Sequence, residues 1–136
     1  MDNQKLRTAG LKVTLPRMKI LEILENADPH HLSAEDVFKI LLDAGHDIAF
    51  ATVYRALTQF ESAQLVKRHN FEGGYSVFEL AQNTHHDHLV CVKCHRVEEF
   101  LDDIIEERQR AIAQKAKFTV TDHSLTLYGI CAHCEM

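Results

Sequence analysis

Residues 85–94 read His-His-Asp-His-Leu-Val-Cys-Val-Lys-Cys, six side chains able to bind a metal within ten positions. A second Cys-x-x-Cys, Cys131 and Cys134, lies at the other end of the same region. Imidazole, carboxylate and paired thiolate are the ligands of transition metals, and two ligand chemistries side by side point to two kinds of site. The thiolate set is Cys91, Cys94, Cys131 and Cys134. Two such pairs complete the tetrahedral shell of one Zn2+, and a shell with no open position is structural rather than catalytic. The long stretch between the pairs means that the ion would clip distant segments together. A redox pair or plain buried thiols are the alternatives for these cysteines.

The tetrapeptide His85-His86-Asp87-His88 is read differently. On an extended strand successive side chains alternate faces. His86 and His88 then point one way, His85 and Asp87 the other, so one short segment serves two separate sites. The competing reading, a solvated polar loop, fits poorly with the apolar Leu89-Val90 that follows at once. Further ligands must come from elsewhere. Glu98-Glu99, Glu106 and Glu107, His123, His30-His31 and Glu79 are available, and linear spacing does not assemble them.

The elements that would hold these side chains follow from periodicity and punctuation. Pro16 opens a helix whose apolar positions are Ile20, Leu21, Ile23, Leu24 and Ala27, and Asp28-Pro29 ends it. Ser33-Ala-Glu-Asp36 has the form of a capping box ahead of Val37, Phe38, Ile40, Leu41 and Ala44, with Gly45 as the stop. A third helix spans Ala51 to about Ala63, with Val53, Leu57 and Phe60 inward and Thr52, Tyr54, Arg55, Thr58 and Gln59 outward. Leu65–His69 and Tyr75–Leu80, separated by a turn at Gly73-Gly74, form a β-hairpin. Three helices and a hairpin is the order of a winged helix-turn-helix. Beyond residues 82–84 come short strands at about 86–92 and 96–100, a helix at about 102–116, and a last strand from Phe118 to Tyr128.

The fold class is therefore α+β, an N-terminal winged helix-turn-helix over 1–82 followed by a small α/β unit over 85–136. A unit that small seldom stands on apolar burial alone and needs a metal or a partner subunit.

At 136 residues and 46% hydrophobic the chain has the composition of a globular protein. It has no apolar run of membrane-spanning length and no secretory signal, which places it in the cytoplasm as an expectation. A net charge of -5 argues against a generally basic polyanion binder. Charge is segregated, however: Lys5, Arg7, Lys12, Arg17 and Lys19 stand against the single acid Asp2 in the first twenty residues.

Across nearly its whole length the sequence resembles the ferric uptake regulator family of bacterial metal-sensing repressors, in its iron-sensing branch. The matching stretches are Gly10-Leu-Lys-Val-Thr-Leu-Pro-Arg17, His31-Leu-Ser-Ala-Glu-Asp36, Ala51-Thr-Val-Tyr-Arg55 and Phe71-Glu-Gly-Gly74. Val77-Phe-Glu-Leu80, residues 85–94 as quoted above, and Asp122-His-Ser-Leu-Thr-Leu-Tyr128 extend them. The resemblance implies a homodimer, possibly pairing into tetramers, with a C-terminal dimerisation domain. It assigns His31, Glu79, His86, His88 and Glu99 to a regulatory metal site between the domains, and His85, Asp87, Glu106 and His123 to a second site. It also matches the four cysteines to a structural zinc. Ala49, Gln64 and His95 stand where relatives carry Gly, and the sequence has no His-rich tail after Cys134. None of these departures removes a proposed ligand.

Under that resemblance the function is a metal-dependent repressor. Fe2+ is its co-repressor, Mn2+ or Co2+ can mimic it, and the target is double-stranded DNA in A/T-rich palindromic operators of iron-acquisition genes. Lys12 matches the family's minor-groove reader. Thr52, Tyr54 and Arg55 sit at the start of the recognition helix, where arginine can reach guanine or phosphate and an aromatic ring or threonine a thymine methyl. Arg17, in the same basic segment as Lys12, is set with them as a DNA contact. Nitrogen and carboxylate ligands also suit Zn2+, Mn2+ or Ni2+, so a sensor of another metal is the nearer alternative. A zinc metalloenzyme is the remote one, since no nucleophile or general base accompanies the ligands. A metal-storage or redox protein would need neither the winged helix nor the basic arm.

Overall fold

The computed structural model describes residues 3–27, 31–81 and 85–135. Two compact units are present, Met1–Gln82 and Asn83–Met136. His30, Asp28-Pro29 and the interdomain segment at 82–84, all named above, lie outside the described residues.

In the first unit four helices precede a two-stranded hairpin: α1 (Asn3–Thr8), α2 (Leu15–Asn26), α3 (Ala34–Asp43), α4 (Phe50–Ser62), β1 (Val66–Phe71) and β2 (Tyr75–Leu80). The apolar stripes of the helices meet in one core. Ile20, Leu21 and Leu24 of α2, Val37 and Leu41 of α3, and Val53, Ala56, Leu57 and Phe60 of α4 are buried there with Val66 and Phe78 from the hairpin. Ile40, expected inside, is 40% exposed because it lies toward the edge of the α3 stripe. Periodicity after Pro16 missed α1, a helix of one and a half turns that buries a single apolar residue, Leu6, completely.

Local chemistry explains the boundaries. Ser33 accepts the backbone N–H of Asp36 at 3.0 Å while Asp36 accepts that of Ser33 at 3.1 Å, the reciprocal capping box read from the sequence. Leu32 then pairs with Phe78 through two backbone hydrogen bonds of 2.7 and 3.1 Å. Continuing that antiparallel register sets His31 opposite Glu79.

The second unit is a three-stranded sheet in the order β4-β3-β5, with β3 (Asp87–Cys91) central, β4 (Val97–Phe100) antiparallel to it and β5 (Thr126–Gly129) parallel. Helix α5 (Asp103–Lys115) connects β4 to β5, and a single turn, α6 (Ala132–Glu135), follows. The last strand is far shorter than the expected Phe118–Tyr128. In the register His88↔Thr126, residues 118–124 run past the beginning of β3 and have no ladder partner among the described residues. Phe118 is accordingly 74% exposed.

Four helices end in one hydrogen-bond pattern. The N–H of the second residue past the cap returns to the carbonyl five positions earlier: Leu11 to Leu6, His46 to Leu41, Leu65 to Phe60 and Phe118 to Ala113, at 2.8–2.9 Å. This terminus needs a left-handed residue just before that N–H. Gly10 and Gly45 supply it in α1 and α3, but Gln64 (φ 63°) and Lys117 (φ 60°) do so in α4 and α5. A Cβ in that conformation costs about 1–2 kcal/mol. Gln64→Gly should therefore stabilise the first unit by about 1 kcal/mol net of the added chain entropy, measured by denaturant unfolding. No gain would show that the Gln64 side chain recovers the strain through contacts of its own.

Candidate metal centres and nucleic-acid interface

The four cysteines converge. Cys91 ends β3, Cys94 follows on the turn into β4, Cys131 immediately precedes α6 and Cys134 lies within it. Sulfur–sulfur distances are 3.8 Å for Cys91–Cys134 and 3.7 Å for Cys94–Cys131. A tetrahedron with metal–sulfur bonds of about 2.3 Å has edges of about 3.8 Å. A disulfide would require about 2.05 Å. These distances are those of a shared ion.

The backbone prepares the site. Cys91 Sγ accepts the N–H of Cys94 at 3.5 Å and of Cys131 at 3.4 Å. Those two donors, Cys94 first, bring the Cys91 thiol down to about 5, although burial opposes them. Cys134 moves the other way, to about 12, through its sulfur neighbour Cys131 and then burial. Sulfurs this close resist ionising together unless a cation enters.

A second cluster joins His85, Asp87, Glu106 and His123, whose ligand atoms all lie within 4.8 Å of one another. His85 Nε2 stands 3.1 Å from Asp87 Oδ1 and 3.3 Å from Glu106 Oε1, and His123 Nε2 is 2.9 Å from Glu106 Oε2. The alternation of residues 85–88 placed the first two; α5 and the segment before β5 brought the others. Asp87 is 1% exposed, and its Oδ2 has no hydrogen-bond partner. Glu106 Oε1 and His123 Nε2 are also buried without a bond of good geometry despite their close approach. Orphaned donors around a buried carboxylate fit a cation better than a finished hydrogen-bond network.

The residues that the resemblance assigns to a regulatory site divide between the units. In the first, Glu79 is 1% exposed on β2, with Oε2 3.0 Å from His31 Nε2 and Oε1 2.7 Å from His69 Nε2. His69 was missed by the sequence reading. Its signal is the hairpin register: Lys67 faces Glu79 and His69 faces Val77, so His69 lies diagonal to Glu79 on the same face. In the second unit the rings of His86 and His88 are 5.0 Å apart. Glu99, opposite His88 across the β3–β4 ladder, comes within 3.5 Å of His86.

On α4, Tyr54 and Arg55 are exposed and Thr52 half-buried. Arg68 on β1 was also overlooked. Its guanidinium lies 5.5 Å from the Tyr54 ring centroid and 4.8 Å from that of Phe78. It donates to Thr58 Oγ1 at 3.3 Å and approaches Glu61 at 3.2 Å, fastening the hairpin to α4. Lys12 is exposed. Arg17 is not free: it donates to the Lys12 carbonyl and to Gln59 Oε1, each at 2.7 Å.

A winged-helix unit joined to a small mixed-sheet unit with a four-cysteine cluster defines a class of metal-responsive DNA-binding regulators. The family model described as "Ferric uptake regulator family" matches residues 8–128, and the chain belongs to that family. It is similar to the ferric uptake regulation protein of Legionella pneumophila, 66% identical over 134 residues covering 98% of each chain. Its fold matches the ferric uptake regulator of Vibrio cholerae with a TM-score of 0.91 at 57% identity, covering 96% of this chain and 100% of that one. The regulator from Francisella tularensis solved with iron gives a TM-score of 0.87 at 41% identity, over 93% and 96% of the two chains. Membership makes the chain a transcription regulator and not an enzyme. Among the described residues no helix is long and apolar enough to cross a membrane.

Zinc uptake at the cysteines should release fewer than four protons per ion at pH 7, because Cys91 is already a thiolate there. Its lowered pKa contributes stability to the metal-free fold above the ordinary 9.0, lost as pH falls through about 5. Proton counting with an indicator dye during Zn2+ titration checks this. Four protons per ion would mean that the backbone donors do not hold the thiolate.

Proposed function

We propose that the chain is an Fe2+-dependent repressor of A/T-rich palindromic operators, in which one cation joins the His31, His69 and Glu79 donors of the first unit to His86, His88 and Glu99 of the second. The single observation behind this reading is the buried carboxylate of Glu79 between two imidazoles, a half-site of three donors. The second unit carries a matching set of three. Bridging both would fix the angle between the units, and in a symmetric dimer that sets the separation of two recognition helices against operator half-sites. Metal and DNA would then be linked ligands, with a coupling of about 1–3 kcal/mol. The ligand set does not itself exclude Zn2+, which binds such donors more tightly than Fe2+. Iron is favoured because the chain is 66% identical to a ferric uptake regulation protein and the Francisella tularensis regulator was solved with iron, while the Pseudomonas aeruginosa regulator was solved with manganese, one of the mimics.

The structural ion at Cys91, Cys94, Cys131 and Cys134 is Zn2+ in this reading. His85, Asp87, Glu106 and His123 form the second divalent site. The partner for dimerisation is a second copy of this chain. Helix α5 buries none of its residues, and Ile104, Ile112, Phe118 and Val120 are all at least 50% exposed, more apolar surface than so small a unit leaves bare. The described domains are then 1–82 for DNA and 85–136 for metal and dimer contacts. Lys12 reads a narrow minor groove, and Thr52, Tyr54 and Arg55 read the major groove.

The test is binding to an A/T-rich palindromic duplex, zinc-loaded at the cysteines, titrated anaerobically with Fe2+, Mn2+, Co2+ and Zn2+. Fe2+ and its mimics should raise affinity at least tenfold, and Glu79→Ala should abolish that gain while leaving metal-free binding unchanged. Response to Zn2+ alone would replace iron with zinc as the signal. An undiminished metal response in Glu79→Ala would remove the bridging site.

A further inference from the structure

We propose that Arg17 is a positioning residue that clamps the backbone carrying Lys12 to the recognition helix α4, so that the minor-groove and major-groove readers are presented as one rigid piece. The inference rests on the DNA-binding reading above.

The local sequence builds the clamp. After α1 the chain turns at Gly10, and Leu11 and Val13 pack against the core. Lys12, between them, is exposed. Thr14 caps α2 and accepts the N–H of Arg17 at 3.3 Å, with Pro16 in the first helical turn. That cap places Arg17 where its side chain can turn back along the arm. One terminal nitrogen donates to the Lys12 carbonyl and the other to Gln59 Oε1, both at 2.7 Å. Gln59 lies one helical turn beyond Arg55 and shares its face of α4. A planar guanidinium can hold two acceptors in fixed directions, whereas an ammonium cannot reproduce that fork.

The consequence is preorganisation. An arm entering a minor groove and a helix in the neighbouring major groove must straddle the phosphate backbone at a set spacing. A clamp made in the free protein removes the ordering cost from the binding step. Arg17 then acts through Lys12 instead of through a phosphate, and a terminal donor spent on Lys12 and another on Gln59 are unavailable to DNA.

The experiment uses the full chain loaded with metal and two palindromic duplexes, identical except that the flanks entered by Lys12 are A·T in one and G·C in the other. Arg17→Lys and Gln59→Leu should each weaken binding to the A·T-flanked duplex about tenfold and to the G·C-flanked one less than twofold. The double variant should be no weaker than the worse single, since both remove one interaction. The slope of affinity against salt should stay at the wild-type value. A phosphate contact predicts otherwise: Arg17→Lys binds like wild type, Arg17→Gln loses affinity equally on both duplexes, and the slope falls by about one per protomer. That result overturns the clamp. If Arg17→Lys does not fold, as judged by its thermal melt, Gln59→Leu decides alone, and wild-type affinity in that variant overturns the proposal. Wild-type protein that binds neither duplex with any metal overturns the DNA-binding reading itself, a result distinct from normal wild-type binding with indifferent variants.

Discussion

An extended backbone turns successive side chains to opposite faces, and residues 85–91 apply that constraint to metal ligands. His86 and His88 leave one side, His85 and Asp87 the other, and Cys91 ends the strand beside three more thiols. Shifting β3 by one residue would exchange the two histidine sets and carry Cys91 away from its partners. The register against β4 and β5 is therefore a condition for three ligand groups at once. Ladder contacts on both sides hold it, His88↔Glu99 and His88↔Thr126.

Burial gives these groups their chemical character. Glu79 and Asp87 are each 1% exposed, which is costly for an ionised carboxylate unless positive charge is close. The two sites answer this differently. Both oxygens of Glu79 are met by imidazole nitrogens, while Asp87 keeps one oxygen without a hydrogen-bond partner. The thiolate site needs less from a cation at the outset, since the peptide N–H groups of Cys94 and Cys131 already favour the charged form of Cys91. A metal at the cysteines completes a prepared site, whereas one at Asp87 supplies what the fold leaves out.

Much of this was legible in the amino-acid order because it is local. The capping box at Ser33 and Asp36, the Gly73-Gly74 turn and the split of residues 85–88 each need a few neighbours only. His69 was not legible, because its approach to Glu79 exists only after β1 and β2 pair in one particular register. Arg68 failed for the same reason, its ring and hydroxyl partners lying on α4 and β2. The excess length assigned to the last strand arose because alternation describes what a segment can do if a neighbour is present, and residues 118–124 have none among the described residues. Ligand membership for Glu106 and His123 came from family resemblance, and the geometry then supplied its own reason in the buried, poorly bonded atoms around Asp87.

The first unit shows how the same economy applies to DNA reading. Helix α4 carries its apolar stripe into the core through Val53, Leu57 and Phe60, which fixes its rotation and turns Tyr54 and Arg55 outward. Rotation alone does not fix the outward groups. Two arginines do so from opposite sides: Arg68 from β1 against Tyr54, Thr58 and Glu61, and Arg17 from the start of α2 against Gln59. Each commits N–H donors that composition would have counted toward the phosphate backbone, and Arg68 is also paired with the carboxylate of Glu61. Net charge is therefore a poor guide to how this unit meets DNA: what each cation can offer depends on what it already touches, and Lys12 and Arg55 stay exposed where Arg17 and Arg68 do not.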